Sequence, residues 1–173
     1  MNDRADLPNV EIGVSVKLPD GMPGPDVLGT CMAQSLSVVL KRLHPGCSQG
    51  NIELGILIVS DTGIRSLNLR HRGVDSATDV LSFPLLENSE KPDDPTWDAD
   101  SEPVSLGDIV LSAETIARQA EERGMSFIER ISECLVHGIL HVLGYNHDTD
   151  YERARMEKLE DSMVPEVMGK LEI

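Results

Sequence analysis

Val10 to Leu18 (VEIGVSVKL) alternates apolar and polar residues, the period-two pattern of a strand with one buried face. The turn-rich run Pro19–Pro25 breaks it, after which Asp26 can cap a helix to about Leu43 with Val27, Leu28, Met32, Leu36 and Val39 on its apolar side. The run ELGILIV within residues 51–60 reads as a second strand, and Asp61 is placed to cap a short helix through about His71. Residues 72–79 read as a loop, Val80–Phe83 as a short strand closed by Pro84, and Val104–Leu111 as a fourth strand. Ser112, with Glu114 and Thr115, opens a helix that Gly124 ends. Ser126 and Glu129 form a Ser-x-x-Glu capping box for the next helix, with apolar residues at Ile128, Ile131, Leu135, Ile139 and Val142 and a natural stop at Gly144. A last helix starts near Asp148 or Asp150 and carries Met156, Leu159 and Met163. There are no internal repeats. Strands early and helices late predict an α+β fold, a small four-stranded mixed sheet packed with helices.

A chain of 173 residues is expected to form one domain, 1–173, large enough to bury roughly two-thirds of its unfolded surface. Aromatics make up only 3% of it, so the core must rest on Leu, Ile, Val, Ala and Met. The net charge of −15 argues against a protein that coats duplex nucleic acid through a basic face. That charge is unevenly spread. Between Pro84 and Pro103 seven acids stand against Lys91, with four prolines and little periodicity, so 85–103 reads as an exposed acidic loop around Trp97. Residues 1–9 are expected to be flexible. Cys31, Cys47 and Cys134 are odd in number and none is in a C-x-x-C pair, which disfavours a disulfide framework and a thiolate metal site. Met1–Val10 is polar, and no apolar run approaches the roughly 20 residues needed to span a bilayer. A cytoplasmic protein without membrane contact is the expectation.

Three of the five histidines change the picture: His137, His141 and His147 form H-x-x-x-H-x-x-G-x-x-H. Two residues four apart on a helix differ by only about 40° around its axis, so His137 and His141 can point at one ion. Gly144 lets the chain reverse at positive φ, and His147 then returns to the same side. Three neutral imidazoles leave a fourth tetrahedral position open, the hallmark of a catalytic rather than a closed structural zinc site. The spacing is similar to the zinc-protease motif H-E-x-x-H-x-x-G-x-x-H, except that Gly138 stands where the protease carries its general-base glutamate. Glu133, one turn before His137, faces the same way and is a candidate second-shell or surface residue. His44 and His71 carry no such pattern.

The run from His137 to His147 (HGILHVLGYNH) resembles the motif of the YbeY family, zinc-dependent endoribonucleases and rRNA maturation factors. Two further blocks carry the resemblance, Leu67-Asn68 with His71-Arg72-Gly73 and Thr78–Pro84 (TDVLSFP), and Leu106-Gly107-Asp108-Ile109. It extends from about Ile52 to Met163. It implies a zincin-like α+β fold, one Zn2+ held by His137, His141 and His147 on a helix of the C-terminal half and the turn after it, and action on single-stranded rRNA precursors. It also implies a ribosome or small-subunit ribosomal protein as partner, and a role in small-subunit rRNA processing and ribosome quality control. Arg72 matches the family's invariant arginine and is the candidate catalytic residue. A guanidinium is always charged, and its planar fork suits phosphate oxygens. Read alone, it is better taken as a surface arginine beside a turn glycine. The chain departs from the family at Asn146, where aspartate is usual, with Asp148 as a nearby charge, and at His71, where tyrosine is common. The insert around Trp97 is also long for the family.

The expected reaction is hydrolysis of an RNA phosphodiester. Either water or the ribose 2′-OH can be the nucleophile. Arg65, Arg70 and Arg72 are expected to form a basic lip that offsets the overall acidity, with weak, salt-sensitive RNA binding. The alternative is a non-catalytic ribosome-assembly factor whose zinc only ties the last helices together, with Cys134 or Asp148 as fourth ligand. A zinc peptidase is disfavoured by Gly138.

Overall fold

The computed structural model describes residues 9–14, 22–45, 52–85 and 104–171. In chain order these form β1 (Asn9–Val14), α1 (Pro25–Leu43), β2 (Ile52–Val59), α2 (Asp61–Arg72), β3 (Val80–Pro84), β4 (Val104–Ser112), α3 (Ala113–Arg123), α4 (Phe127–Val142) and α5 (Asp150–Lys170). The sheet runs β1-β2-β4-β3. The β1–β2 and β2–β4 pairs are parallel, whereas β3 lies antiparallel along β4. Parallel neighbours need a crossover connection, and α1 supplies it between β1 and β2.

Alternation along the strands sorts two cores. Ile52, Leu54, Ile56 and Ile58 of β2 face the same way as Leu106, Ile109 and Leu111 of β4 and join the main core beneath α1, α4 and α5. Val59 and Val110 point to the other face and pack with Leu81 of β3 and Ile64 of α2. The register shifts between Glu53 and Gly55. Opposite that shift, Gly107 adopts φ 127°, and a Cβ there would collide with the carbonyl oxygen of Phe83. Only glycine lets β3 approach β4 so closely.

Helix α4 is central and packs on α1, α3, α5, β3 and β4. Its capping box is present in both directions, the Ser126 hydroxyl accepting from Glu129 N and the Glu129 carboxylate from Ser126 N. Ser112 caps α3 and Gly124 ends it in the left-handed region. Two helix caps differ from those expected. Helix α1 begins at Gly24-Pro25, with Asp26 inside its first turn, because proline at N1 is preset for the helix and has no N–H to satisfy. The cap of α2 is Ser60, whose hydroxyl accepts from Gly63 N. Helix α5 starts at Asp150, one of the two positions expected, and is capped by Thr149 in a second capping box with Glu152. Helix α2 also continues through Arg72, so the following loop is one residue shorter than expected, and α4 stops at Val142. Asn9, expected in a flexible start, pairs with Glu53. The remainder of that start, the end of the first expected strand and the acidic segment 86–103 lie outside the described residues. Among those described, no helix is long and apolar enough to cross a membrane.

Asp61, freed from capping, joins the two helical layers. Its carboxylate accepts from Ser112 Oγ, Thr115 Oγ1 and Arg118 Nη1. Desolvation opposes its charge, but these donors hold the carboxyl below its usual range. A depressed pKa means stability that is present above the unfolded value of 3.8 and is lost as the pH falls through the folded one. Asp61→Asn is therefore expected to lower Tm at pH 7 by roughly 4–8 °C, taking about 2 kcal/mol for bonds to a charged acceptor. The gap from wild type should close below pH 3.8 in a thermal melt series. A gap independent of pH would remove the charge from the explanation.

Candidate metal centre

Helix α4 is buried on almost every side, including Ile128, Ile131, Leu135, Ile139 and Val142. Phe127 in the first turn apart, the exceptions fall at a spacing of four, where Glu129, Glu133, His137 and His141 are only half-buried. This stripe of α4 is open enough to meet an ion or a substrate, and the histidines occupy its C-terminal end. Beyond Val142 the chain tightens. Tyr145 N donates to the Leu140 carbonyl at 2.9 Å and Gly144 N to that of His141 at 2.9 Å. Gly144 takes φ 85°, which turns the chain and carries His147 back over the helix end.

One ring nitrogen each of His137, His141 and His147 lies within 4.8 Å of the others. Nε2 of His137 and Nε2 of His141 face each other at 3.1 Å. The His147 ring centroid is 5.8 Å from that of His137 and 5.0 Å from that of His141. Burial first, then the neighbouring His137 and His147, push the His141 pKa down to about 4; a backbone hydrogen bond with Tyr145 works the other way, and the charge of Arg72 adds to the lowering. His141 is thus neutral at physiological pH, the form in which imidazole donates a lone pair to a metal. The donor set fits a borderline-soft ion such as zinc.

Neither Cys134 nor Asp148 joins the group. Cys134 is buried, and its thiol is pushed up to about 12, so it is no ready thiolate ligand. Asp148 and Asn146 are exposed. Glu133 does not join the histidines and pairs with Arg123 at 3.2 Å and Arg130 at 2.8 Å. The carboxylate that does approach is Glu160 of α5, whose Oε1 is 2.8 Å from Nδ1 of His137. Glu160 was not singled out from the sequence, though a signal existed. It stands four residues after Met156 and three before Met163, an acid on the buried stripe of α5.

Gly138 faces the sheet. A Cβ there would lie 3.1 Å from Ile109 Cδ1 and 3.2 Å from Ser82 Oγ. The position that holds the protease's glutamate is filled in this chain by strands β3 and β4.

Arg72 ends α2 just before Gly73, which takes φ 71°. It is exposed, it is close enough to lower the His141 pKa, and no carboxylate among the described residues pairs with it. Arg65 is different. Its guanidinium makes two bonds to Asp75, at 2.7 and 2.9 Å, so its charge is offset and the expected basic lip reduces to Arg70 and Arg72. His71 packs edge-on to Phe83 at 5.0 Å, and both line an open groove of about 640 Å3 with Leu67 and Asp108. A second cavity of about 510 Å3 lies beside His137 and Glu160. Its wall contains the buried Arg130, which bonds Asp79 at 2.6 Å and ties the residue before β3 to α4.

Residues 28–168 match the family model described as Endoribonuclease YbeY. The chain belongs to the YbeY family. All three histidines, Arg72 and Glu160 fall inside the matched span. A protein named Endoribonuclease YbeY from Desulforamulus reducens is 42% identical over 74% of this chain and 80% of its own length. Another of that name, from Paramagnetospirillum magneticum, is 35% identical over 90% of both chains. One from Rhodopseudomonas palustris (strain BisB5) is 37% identical over 76% of this chain and 69% of its own. The solution structure of TM1509 from Thermotoga maritima has a TM-score of 0.60 at 26% identity, covering 93% of this chain and 90% of that one.

Proposed function

We infer that the chain is a metal-dependent endoribonuclease of rRNA maturation, with one zinc ion held by His137, His141 and His147. The observation that carries the reading is the cluster of three imidazole nitrogens within 4.8 Å of one another in a chain of this family. Bound there, zinc supplies Lewis acidity and activates water near neutral pH. The chain's own residues do the rest. The half-buried histidine stripe leaves one side of the centre open to substrate. Arg72, close to His141 and without a carboxylate partner among the described residues, grips a phosphate oxygen and offsets charge that develops on phosphorus. Gly138 provides no carboxylate base, which favours a phosphodiester over a peptide as substrate. Processing of small-subunit rRNA, ribosome quality control, contact with a ribosomal protein and a cytoplasmic setting complete the reading.

No fourth protein donor joins the histidines among the described residues, which favours a catalytic centre over a closed, purely structural one. The test is digestion of single-stranded rRNA by the purified protein, with and without a chelator, and after zinc is restored. Arg72→Ala is expected to cut about 10²–10³-fold more slowly, the usual cost of removing a donor aimed at developing charge, while its zinc content stays at the wild-type level. Casein should remain intact. Equal and negligible cleavage by wild type and Arg72→Ala, with ribosome assembly supported by both, would leave the assembly-factor reading instead.

A further inference from the structure

We propose that Glu160 is a positioning residue for the metal centre, fixing His137 in the tautomer and orientation that present its Nε2 to the ion. This rests on the metal-site reading above. An ionised carboxylate can only accept hydrogen bonds, so with Oε1 at 2.8 Å from Nδ1 the proton sits on Nδ1. The lone pair is then on Nε2, the nitrogen that faces His141 Nε2 at 3.1 Å. Glu160 is itself held in place. Met156 and Met163, one turn to either side, are 2% and 0% exposed in the core, and α5 packs along α4 at that point. The carboxylate therefore approaches the ring from a fixed backbone. Its side chain is 26% exposed and that of His137 33%, so the bond is partly shielded from water.

The burial pattern supports a role for the acid. An apolar side chain at 160 would continue the buried stripe of Met156, Met163 and Val167 without any desolvation cost. A carboxylate there is offset by its bond to the imidazole, and more fully once the imidazole carries a cation on its other nitrogen. Carboxylate–histidine–metal arrangements orient the ring and raise its basicity, and their loss typically weakens metal binding by 10–100-fold. His141 and His147 have no carboxylate partner among the described residues, so His137 is the ligand tuned this way.

The experiment uses the full chain as wild type, Glu160→Gln and Glu160→Ala. Zinc affinity is measured by competition with a chromophoric chelator, ring tautomers by 15N NMR of the apo protein, and folding by apo Tm. Glu160→Ala is expected to bind zinc about 10–100-fold more weakly and to lose the fixed Nδ1–H signature of His137. Glu160→Gln retains an acceptor without the charge and should fall between. If Glu160→Ala does not fold, the near-isosteric glutamine variant carries the comparison. Wild type that binds zinc alongside variants that bind within twofold of it, with an unchanged His137 ring, overturns the positioning role alone. Wild type that binds no zinc overturns the metal reading and this inference together.

Discussion

Exchange of His141 for alanine is expected to abolish zinc uptake and to bring RNA cleavage down to the metal-free level. His141 is the middle of the three histidines in space. Its Nε2 is 3.1 Å from that of His137, and its ring centroid lies 5.0 Å from that of His147. Removing it leaves two imidazoles, one of them in an exposed turn. The Lewis-acid contribution of a bound metal is several kcal/mol, so its loss corresponds to a fall in rate of about 10³-fold or more. The fold should survive. His141 belongs to the half-buried stripe of α4, and alanine is the best helix former. The clearest readout is linkage: zinc at 1,000 times its Kd adds about 4 kcal/mol, roughly 10 °C in Tm, to a chain that binds it only when folded. Wild type should show that rise and His141→Ala should not, with apo Tm values a few degrees apart. Parallel metal analysis and rRNA digestion complete the test. A variant that cuts at the wild-type rate would remove the histidine centre from the mechanism.

The histidine cluster was legible in the sequence because its logic is local. The helical period puts His137 and His141 on one side, the Ser126–Glu129 box fixes where that helix starts, and Gly144 permits the return of His147. The apolar face written as Ile128, Ile131, Leu135, Ile139 and Val142 is buried throughout. The remaining elements of the site join residues far apart in the chain. Glu160 meets His137 across 23 positions, and Arg130 meets Asp79 across 51. No periodicity encodes such pairs. The parallel order of β1, β2 and β4 is likewise set by crossovers, which alternation within one strand does not reveal. Local misreadings came from competition between adjacent capping residues. Ser60 and Asp61 can each cap α2; the serine does so, and the aspartate is drawn instead to Ser112, Thr115 and Arg118. Helix α5 starts at Asp150 as expected, and the Thr149-x-x-Glu152 box fixes that start by satisfying two backbone donors reciprocally.

Gly138→Glu, the change that would restore the protease motif, is expected to destroy the fold rather than create a peptidase. The Cβ alone would stand 3.1 Å from Ile109 Cδ1, 3.2 Å from Ile109 Cγ2 and 3.2 Å from Ser82 Oγ, tighter than ordinary van der Waals contact. The rest of the side chain would have to lie between α4 and strands β3 and β4, where Ile109 is 0% exposed. Overpacking costs typically 1–3 kcal/mol, and an unpaired carboxylate in an apolar contact adds several more. A total of about 4 kcal/mol or more is a large fraction of a domain's stability, so loss of the cooperative melt or of soluble protein is the expected result. Gly138→Ala separates packing from charge. Alanine gains about 1 kcal/mol of helix propensity, and the close contact takes back that amount or more, for a net change of roughly 0 to −2 kcal/mol. Ile109→Val removes the nearest methyl group. The double variant Gly138→Ala/Ile109→Val should therefore be more stable than the sum of its parts, as contacting residues couple. A well-folded Gly138→Glu protein that digests casein would overturn both the packing account and the choice of RNA over peptide. Strict additivity in the double variant would overturn the packing account alone. The contact between α4 and the sheet thus ties substrate class to fold, since the position that a peptidase needs for its base is occupied by the interface that holds the histidine helix in place.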